Sequence, residues 1–314
     1  MMQLRKEIVV LALGGNVIMS ESRTFDSQYK TVSSATKEIA GLVAQGYRIV
    51  ITHGNGPQVG DALLRHESAK ELVPPLPLFA CVAETQGLLG FMIQASLLNH
   101  LNKLGKRIGV VSLISKVRVS PRDPALKDPT KPVGSTYTKE ELDAIMKLNP
   151  SLTVKEIALN EYRRVVPSPD PVSVFEVDAV KDLVERGYVV VAAGGGGIPV
   201  IVGNQMRFVD AVIDKDLASE RLATGIKASK LVSLTDVDGV YIGYRSENRK
   251  LLRKIKTSEM KKLLKKGEFE EGSMEPKVKA AIRFVENTGN EAMIANLSKI
   301  REVLKGNSGT IVYK

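Results

Sequence analysis

The sequence predicts an open α/β fold: a mostly parallel sheet covered on both faces by helices. Three observations carry this. The strand-like runs "EIVVLAL" (7–13) and "YRIVITH" (47–53) are apolar almost throughout, as strands buried on both faces must be. They alternate with helix-length segments whose apolar residues recur at helical spacing. Three strand ends run into glycine-rich loops: Gly14-Gly15-Asn16, Gly54-Asn55-Gly56-Pro57, and Gly194 to Gly197.

The elements follow in order. After the first strand, Val32, Ala35, Ile39, Leu42 and Val43 mark a helix. The strand 47–53 precedes a helix pattern reaching about Glu71, broken by Pro74, Pro75 and Pro77. Residues 81–104 form a long helix and "RIGVVSLI" (107–114) a strand. The texture then changes, because eight of the fourteen prolines fall between Pro121 and Pro171. Inside this stretch "TKEELDAIMKL" predicts a short helix, with Thr138 and Glu141 spaced as a capping box. Structureless loops of this length are uncommon in compact domains, so 117–170 is expected to be an arm or lid. The rhythm resumes with strand, glycine loop and strand over 188–202, a helix over 214–225, and "SKLVSLTDVDGVY" (229–241) as a strand with a turn. Helices near 257–267, 275–288 and 298–305, a strand at 291–295 and the strand "GTIVYK" close the chain.

Composition bounds the function. With 43% hydrophobic and 25% charged residues, the 314-residue chain has globular proportions. No apolar run approaches the ~20 residues of a membrane span. Basic residues precede the apolar run Ile8–Leu13, but that run is too short for a signal peptide. A cytoplasmic protein without a membrane partner is expected. Cys81 is the only cysteine, which excludes intramolecular disulfides and multi-cysteine metal sites. His53, His66 and His100 show no zinc-like spacing, so no protein metal ligands are expected. The net charge is +10, and residues 245–279 hold twelve Lys/Arg against six Glu. Stacking aromatics are sparse, which favours a solvated helix face over a nucleic-acid partner. The positive field suits polyanions such as nucleotides.

Glycine lets a ligand approach the backbone closely, and a loop entering a helix presents unpaired N–H groups to an anion. One such loop is weak evidence. Three at equivalent strand ends point to an anion site at the carboxyl edge of the sheet. It is not a P-loop, since G-x-x-x-x-G-K-[ST] is absent, and "GNGPQVG" misses the dinucleotide spacing G-x-G-x-x-G. In "VDAVIDKDLASERLA" (209–223), Asp214, Lys215 and Asp216 sit side by side between apolar residues. A buried acid needs partners. Two readings stay open: a carboxylate capping a helix, or one that holds lysines for phosphoryl transfer.

The segments "ALGGNV" (12–17), "THGNGPQVG" (52–60), "DPTKPVG" (128–134), "AAGGGGIPV" (192–200), "VIDKDLASERLA" (212–223), "LTDVDGVY" (234–241), "GSMEPKVKAA" (272–281) and "GTIV" (309–312) run nearly the length of the chain. In them the sequence resembles the amino acid kinase family. "PTKPVG", "GGGGIPV" and "DKDLAS" make it similar to the carbamate kinases within that family. The resemblance implies a three-layer α/β/α sandwich around a mostly parallel, largely eight-stranded sheet, a small protruding subdomain, and a homodimer. It implies that 1–116 with 171–210 binds the acceptor, that 211–314 binds the nucleotide, and that 117–170 reaches over the site. The implied reaction is ATP + carbamate ⇌ ADP + carbamoyl phosphate, with Mg²⁺. By resemblance, Gly14, Gly15, Asn16, Gly54, Asn55, Gly195 and Gly196 cradle phosphate. Asp214 organises Lys215 and Lys277, and Asp210 serves the acceptor side. Thr235, Asp236, Tyr241, Met274 and Pro276 line the nucleotide. Many family members carry a lysine where this chain has Ala12, and Lys131 in the proline-rich arm is the candidate replacement. Two rivals remain. One is a sister kinase acting on glutamate, acetylglutamate or a nucleoside monophosphate, against which "PTKPVG" and "DKDLAS" argue. The other is a non-catalytic nucleotide-binding regulator, against which the retained Asp214, Lys215 and Lys277 argue.

Overall fold

The structure, a computed structural model, describes residues 7–19, 22–148 and 152–314. Eight strands make one central sheet in the order Lys254–Lys256, Thr310–Tyr313, Ala292–Asn296, Lys230–Thr235, Ile8–Leu13, Arg48–His53, Val189–Val191, Val110–Ser112. Every neighbouring pair is parallel except Ala292–Asn296 with Thr310–Tyr313. The apolar run Ile8–Leu13 lies between Lys230–Thr235 and Arg48–His53, and all of its residues are buried.

Side chains of a strand alternate between faces, and both faces here are covered. Val10, Val50, Val190 and Leu231 point into one core, with Val180, Leu222 and Phe284 from the helices Val177–Glu185, Lys215–Gly225 and Met274–Thr288. Val9, Leu11, Ile49, Ile51 and Val232 point into the other, with Val32 and Ile39 of Phe25–Ala44 and Leu89, Met92 and Ile93 of Leu78–Lys103. The three-layer expectation holds. Each such side chain contributes about 1.5–3 kcal/mol by leaving water.

The structure refines the sequence expectations at three places. The helix Leu78–Lys103 is long and apolar enough to cross a membrane by length and composition. The expected helix over 81–104 thus starts three residues earlier, and polar residues such as Gln86, Gln94, Ser96 and Asn99 keep any unbroken apolar run in it short. It is a core helix, packed on Phe25–Ala44 and the sheet. The strand expected over 107–114 shrinks to Val110–Ser112. The two strands within 188–202 belong to different sheets: Ile198–Val202 lies between Met206–Phe208 and Lys116–Val119, with Pro171–Val174 beyond.

The proline-rich stretch leaves through Lys116–Val119 and returns through Pro171–Val174, which pair antiparallel. Between them Lys131–Tyr137, Glu161–Val166 and Val154–Ala158 form a separate three-stranded sheet, with the helix Lys139–Leu148. The capping box forms: Thr138 N–H donates to Glu141 Oε2 at 2.8 Å, and Glu141 N–H donates to Thr138 Oγ1 at 3.3 Å.

Phe284 is the largest fully buried side chain among the described residues. Phe284→Ala is expected to lower the unfolding free energy by about 3–5 kcal/mol, measured by urea denaturation, with turnover per folded molecule little changed. A loss under about 1 kcal/mol would contradict the tight packing described for this face.

Candidate active site

The carboxyl ends of the central parallel strands open onto one cavity of about 280 Å³. Gly14, Gly15, Gly54, Asn55 and Gly195 line it, with Lys131, Asp214, Lys215, Asp216, Thr235, Asp236 and Lys277. The three glycine loops therefore meet. Gly14 N–H donates to Leu234 O at 3.0 Å, and a Cβ at Gly14 would lie 2.9 Å from that carbonyl. Gly195 has φ +64°, and a Cβ there would strike the Asn55 amide at 2.2 Å. Only glycine fits so close an approach. Gly196 supports the loop from outside the cavity, with Ile213 O where its Cβ would be. Asn16 follows Gly15 on the short turn Gly15–Ile18, and its side chain lies outside the described part. Asn55 precedes the helix Gly56–Ser68 without capping it, because its amide donates to Thr85 Oγ1 at 2.8 Å. The first N–H groups of that helix thus keep their positive dipole end toward the cavity that Gly56 and Pro57 line.

Opposite the loops stands a charge cluster that corrects one expectation. Asp216, not Asp214, holds Lys215 and Lys277. Lys215 Nζ is 2.6 Å from Asp216 Oδ1, and Lys277 Nζ is 3.4 Å from Asp216 Oδ2. Ser233 Oγ donates to Asp216 Oδ1 at 3.2 Å, and Lys277 Nζ donates to Ser273 O at 2.9 Å. The reason lies at the helix start. Asp214 is the N-cap of Lys215–Gly225, so its Oδ1 accepts from Asp216 N–H and Leu217 N–H, at 2.9 and 3.4 Å. Its Oδ2 accepts from Lys131 Nζ at 3.1 Å. Asp214 therefore caps the helix and pairs with Lys131, not with Lys215 or Lys277. Asp216, one residue inside the helix, was the missed residue. Its signal was the acid–lysine–acid triplet itself.

Burial opposes charge on Asp216, but Lys215 and Lys277 outweigh it and hold its carboxyl below the ordinary range. Burial pushes Lys215 down from its ordinary value, and the neighbouring Lys277 adds to this against the pull of Asp216. Lys131, Lys215 and Lys277 line the cavity with Asp214, Asp216 and Asp236, and the first two of these acids hold the three lysines beside the glycine loops.

Buried groups fix the helix from below. Thr52 Oγ1 and Ser219 Oγ are 2.6 Å apart, and Ser219 Oγ donates to Lys215 O at 2.5 Å. Burial pushes His53 down to about 4, helped by Lys215 and opposed by its bond to Gly54 O. The ring is neutral, with Nδ1–H donating to Gly54 O at 2.9 Å. Ala12 is fully buried between Thr52 and Ser233 in register. Lys131 lines the same cavity from the arm, with its Nζ on Asp214.

A second chamber of about 240 Å³ adjoins the first through Thr235, Asp236 and Ser273, and Tyr241, Tyr244, Phe269 and Met274 line it. Thus Thr235, Asp236, Tyr241 and Met274 come together. Pro276 lies in the first turn of Met274–Thr288, behind both linings. Asp210 does not join the site: it is exposed and lines neither chamber. Residues 209–214 are not helical, so a spacing of four does not bring Asp210 to Asp214. The fold does gather His66, Cys81 and Glu84, with ligand atoms within 4.8 Å of one another, a grouping that linear spacing hid. Burial pushes the Cys81 thiol up to about 11, and Cys81 packs among Leu78, Val82 and Val59 as an apolar residue.

Residues 7–296 match the model of the amino acid kinase family. The chain is 45% identical to the carbamate kinase of Pyrococcus horikoshii over 311 residues, 98% of this chain and 99% of that one. It is 44% identical to the carbamate kinase of Thermococcus kodakarensis over 312 residues, with the same coverage. Among solved structures, carbamate kinase from Giardia lamblia bound to AMP-PNP superposes with a TM-score of 0.92 at 39% identity, covering 98% of each chain.

The neutral His53 sets a pH dependence of stability. The native ring takes up a proton near pH 4 and the unfolded one near 6.5. Between these values the unfolded chain binds more protons, so the contribution is complete above 6.5 and falls away as pH drops. About 3 kcal/mol is at stake by pH 4. Denaturant titrations of parent and His53→Gln should diverge over this window, with the parent losing more. Parallel curves would refute the assignment.

Proposed function

The chain belongs to the amino acid kinase family, and on that premise we propose that it is a carbamate kinase, transferring a phosphoryl group between ATP and carbamate. The observation that carries this reading is the cluster of Lys131, Lys215 and Lys277 on Asp214 and Asp216, facing three glycine loops beside a chamber with aromatic walls. Phosphoryl transfer asks little covalent chemistry of the protein and much positive charge, held in place beforehand.

In this reading a carbamate oxygen attacks the γ-phosphorus. The new O–P bond forms as the bond from γ-phosphorus to the β,γ-bridging oxygen breaks, and ADP leaves with that electron pair. Lys215 and Lys277 stand over the transferring oxygens, and Asp216 keeps both ammonium groups in place. The N–H groups around Gly14, Gly15, Gly54 and Gly195 receive the phosphoryl oxygens, and Lys131 serves the acceptor end. The nucleoside occupies the chamber of Tyr241 and Met274. Mg²⁺ neutralises charge on the phosphates when bound. Asp214 and Asp216 are engaged by lysines, so the ion would be held chiefly by the nucleotide's phosphates. We divide the chain by the same logic: 1–116 with 171–210 holds the acceptor, 211–314 the nucleotide, and 117–170 covers the site. Family resemblance supports a homodimer working in the cytoplasm.

A coupled assay of ATP formation from carbamoyl phosphate and ADP, with Mg²⁺, tests the activity. Absence of turnover with that pair would refute it. Asp216→Asn keeps the side chain's size but leaves two ammonium groups without their carboxylate, so it should lower the melting temperature and cost about 10²–10³ in turnover of the folded enzyme; parental turnover would exclude the role given to Asp216. Lys277→Ala should depress turnover in both directions, since one transition state serves both. A loss in one direction only, with chemistry rate-limiting, would exclude that role.

A further inference from the structure

We propose that Gly60 and the kinked strand at Gly134 form a seat that fixes Lys131 at the cavity, which makes Gly60 a positioning residue for phosphoryl transfer. The proposal rests on the role given to Lys131 above. The helix Gly56–Ser68 starts at the cavity wall, and the arm strand Lys131–Tyr137 lies along it. The register of that strand against Glu161–Val166 slips between Val133 and Thr136. The irregularity contains Gly134, at φ +82°, and such bulges re-aim a strand. There the two backbones touch. A Cβ on Gly60 would lie 2.5 Å from Gly134 Cα and 3.0 Å from its nitrogen. Both are main-chain atoms, so only movement of the whole strand could relieve the clash.

Three contacts hold the strand in the seat. Arg163 Nη2 donates to Gly134 O at 2.7 Å, and Arg164 Nη1 pairs with Glu67 Oε1 at 3.0 Å on the same helix. Val133 packs in one cluster with Val59 of that helix. Lys131 follows directly upstream, its Nζ 3.1 Å from Asp214 Oδ2. A methyl group on Gly60 therefore shifts the strand that delivers this ammonium.

Gly60→Ala should cut ATP-forming turnover roughly 10–100-fold, the scale of a 1 Å misplacement, with ADP affinity by calorimetry unchanged. Hydrogen exchange of the Lys131–Tyr137 amides should quicken. In a Lys131→Ala background the same change should cost no further turnover. Equal loss in both backgrounds would mean that Gly60 acts through something other than Lys131, and parental exchange and turnover in Gly60→Ala would remove the seat altogether. Parental turnover in Lys131→Ala alone would overturn the role of Lys131, and exchange would still decide the seat. Should Gly60→Ala not fold, Arg163→Gln removes the donor to Gly134 O and must reproduce the faster exchange and the dependence on Lys131, or the proposal fails.

Discussion

Asp216 is ionised where water scarcely reaches it, and two ammonium groups and a hydroxyl aimed at it make that possible. The dependence runs both ways. Lys215 and Lys277 crowd each other in a buried space, and without the carboxylate their mutual repulsion and desolvation would push them apart or strip a proton. Breaking such a cluster leaves an unpaired charge inside the protein, which is far costlier than never having built it. The partners come from three elements: the start of Lys215–Gly225, the strand Lys230–Thr235 and the first turns of Met274–Thr288. One carboxylate therefore registers two helices against the central sheet, at the edge where the glycine loops open.

Asp214 carries a different load with each oxygen. One serves the backbone of the helix it caps and the other serves Lys131 from the arm. Helix start and arm are thus tied to one side chain, and the cluster reaches from the sheet core to the protruding sheet. Its lysines share one cavity with the backbone amides of the glycine loops, a setting that suits a phosphate.

The central strands, the glycine loops and the capping box at Thr138 were legible because each depends on residues close in sequence. Joining the three loops into one site was legible too, since parallel strands in one sheet present their carboxyl ends together. Which acid holds which lysine was not legible. Lys277 reaches Asp216 across 61 positions, and the Asp214-or-Asp216 choice turns on where one helix begins. Asp210 failed for a related reason: a spacing of four means proximity only in a helix, and the chain there is extended or turning. The second sheet was hidden because a strand, a glycine loop and a strand in sequence do not say that the loop sends Ile198–Val202 to pair with Lys116–Val119 instead of the central sheet.

The order of the central sheet places its long apolar strands, Ile8–Leu13 and Arg48–His53, in the interior, and ends it on two very short strands. Val110–Ser112 and Lys254–Lys256 have three residues each, and the latter carries lysines at both ends. A foreign strand arriving at either border finds few free backbone groups to pair with, and at one border it meets like charges with little apolar surface between them. A chain built on fully apolar strands would otherwise be a template for fibrous stacking. With those strands confined to the interior, the sheet offers little at either border for another chain to extend.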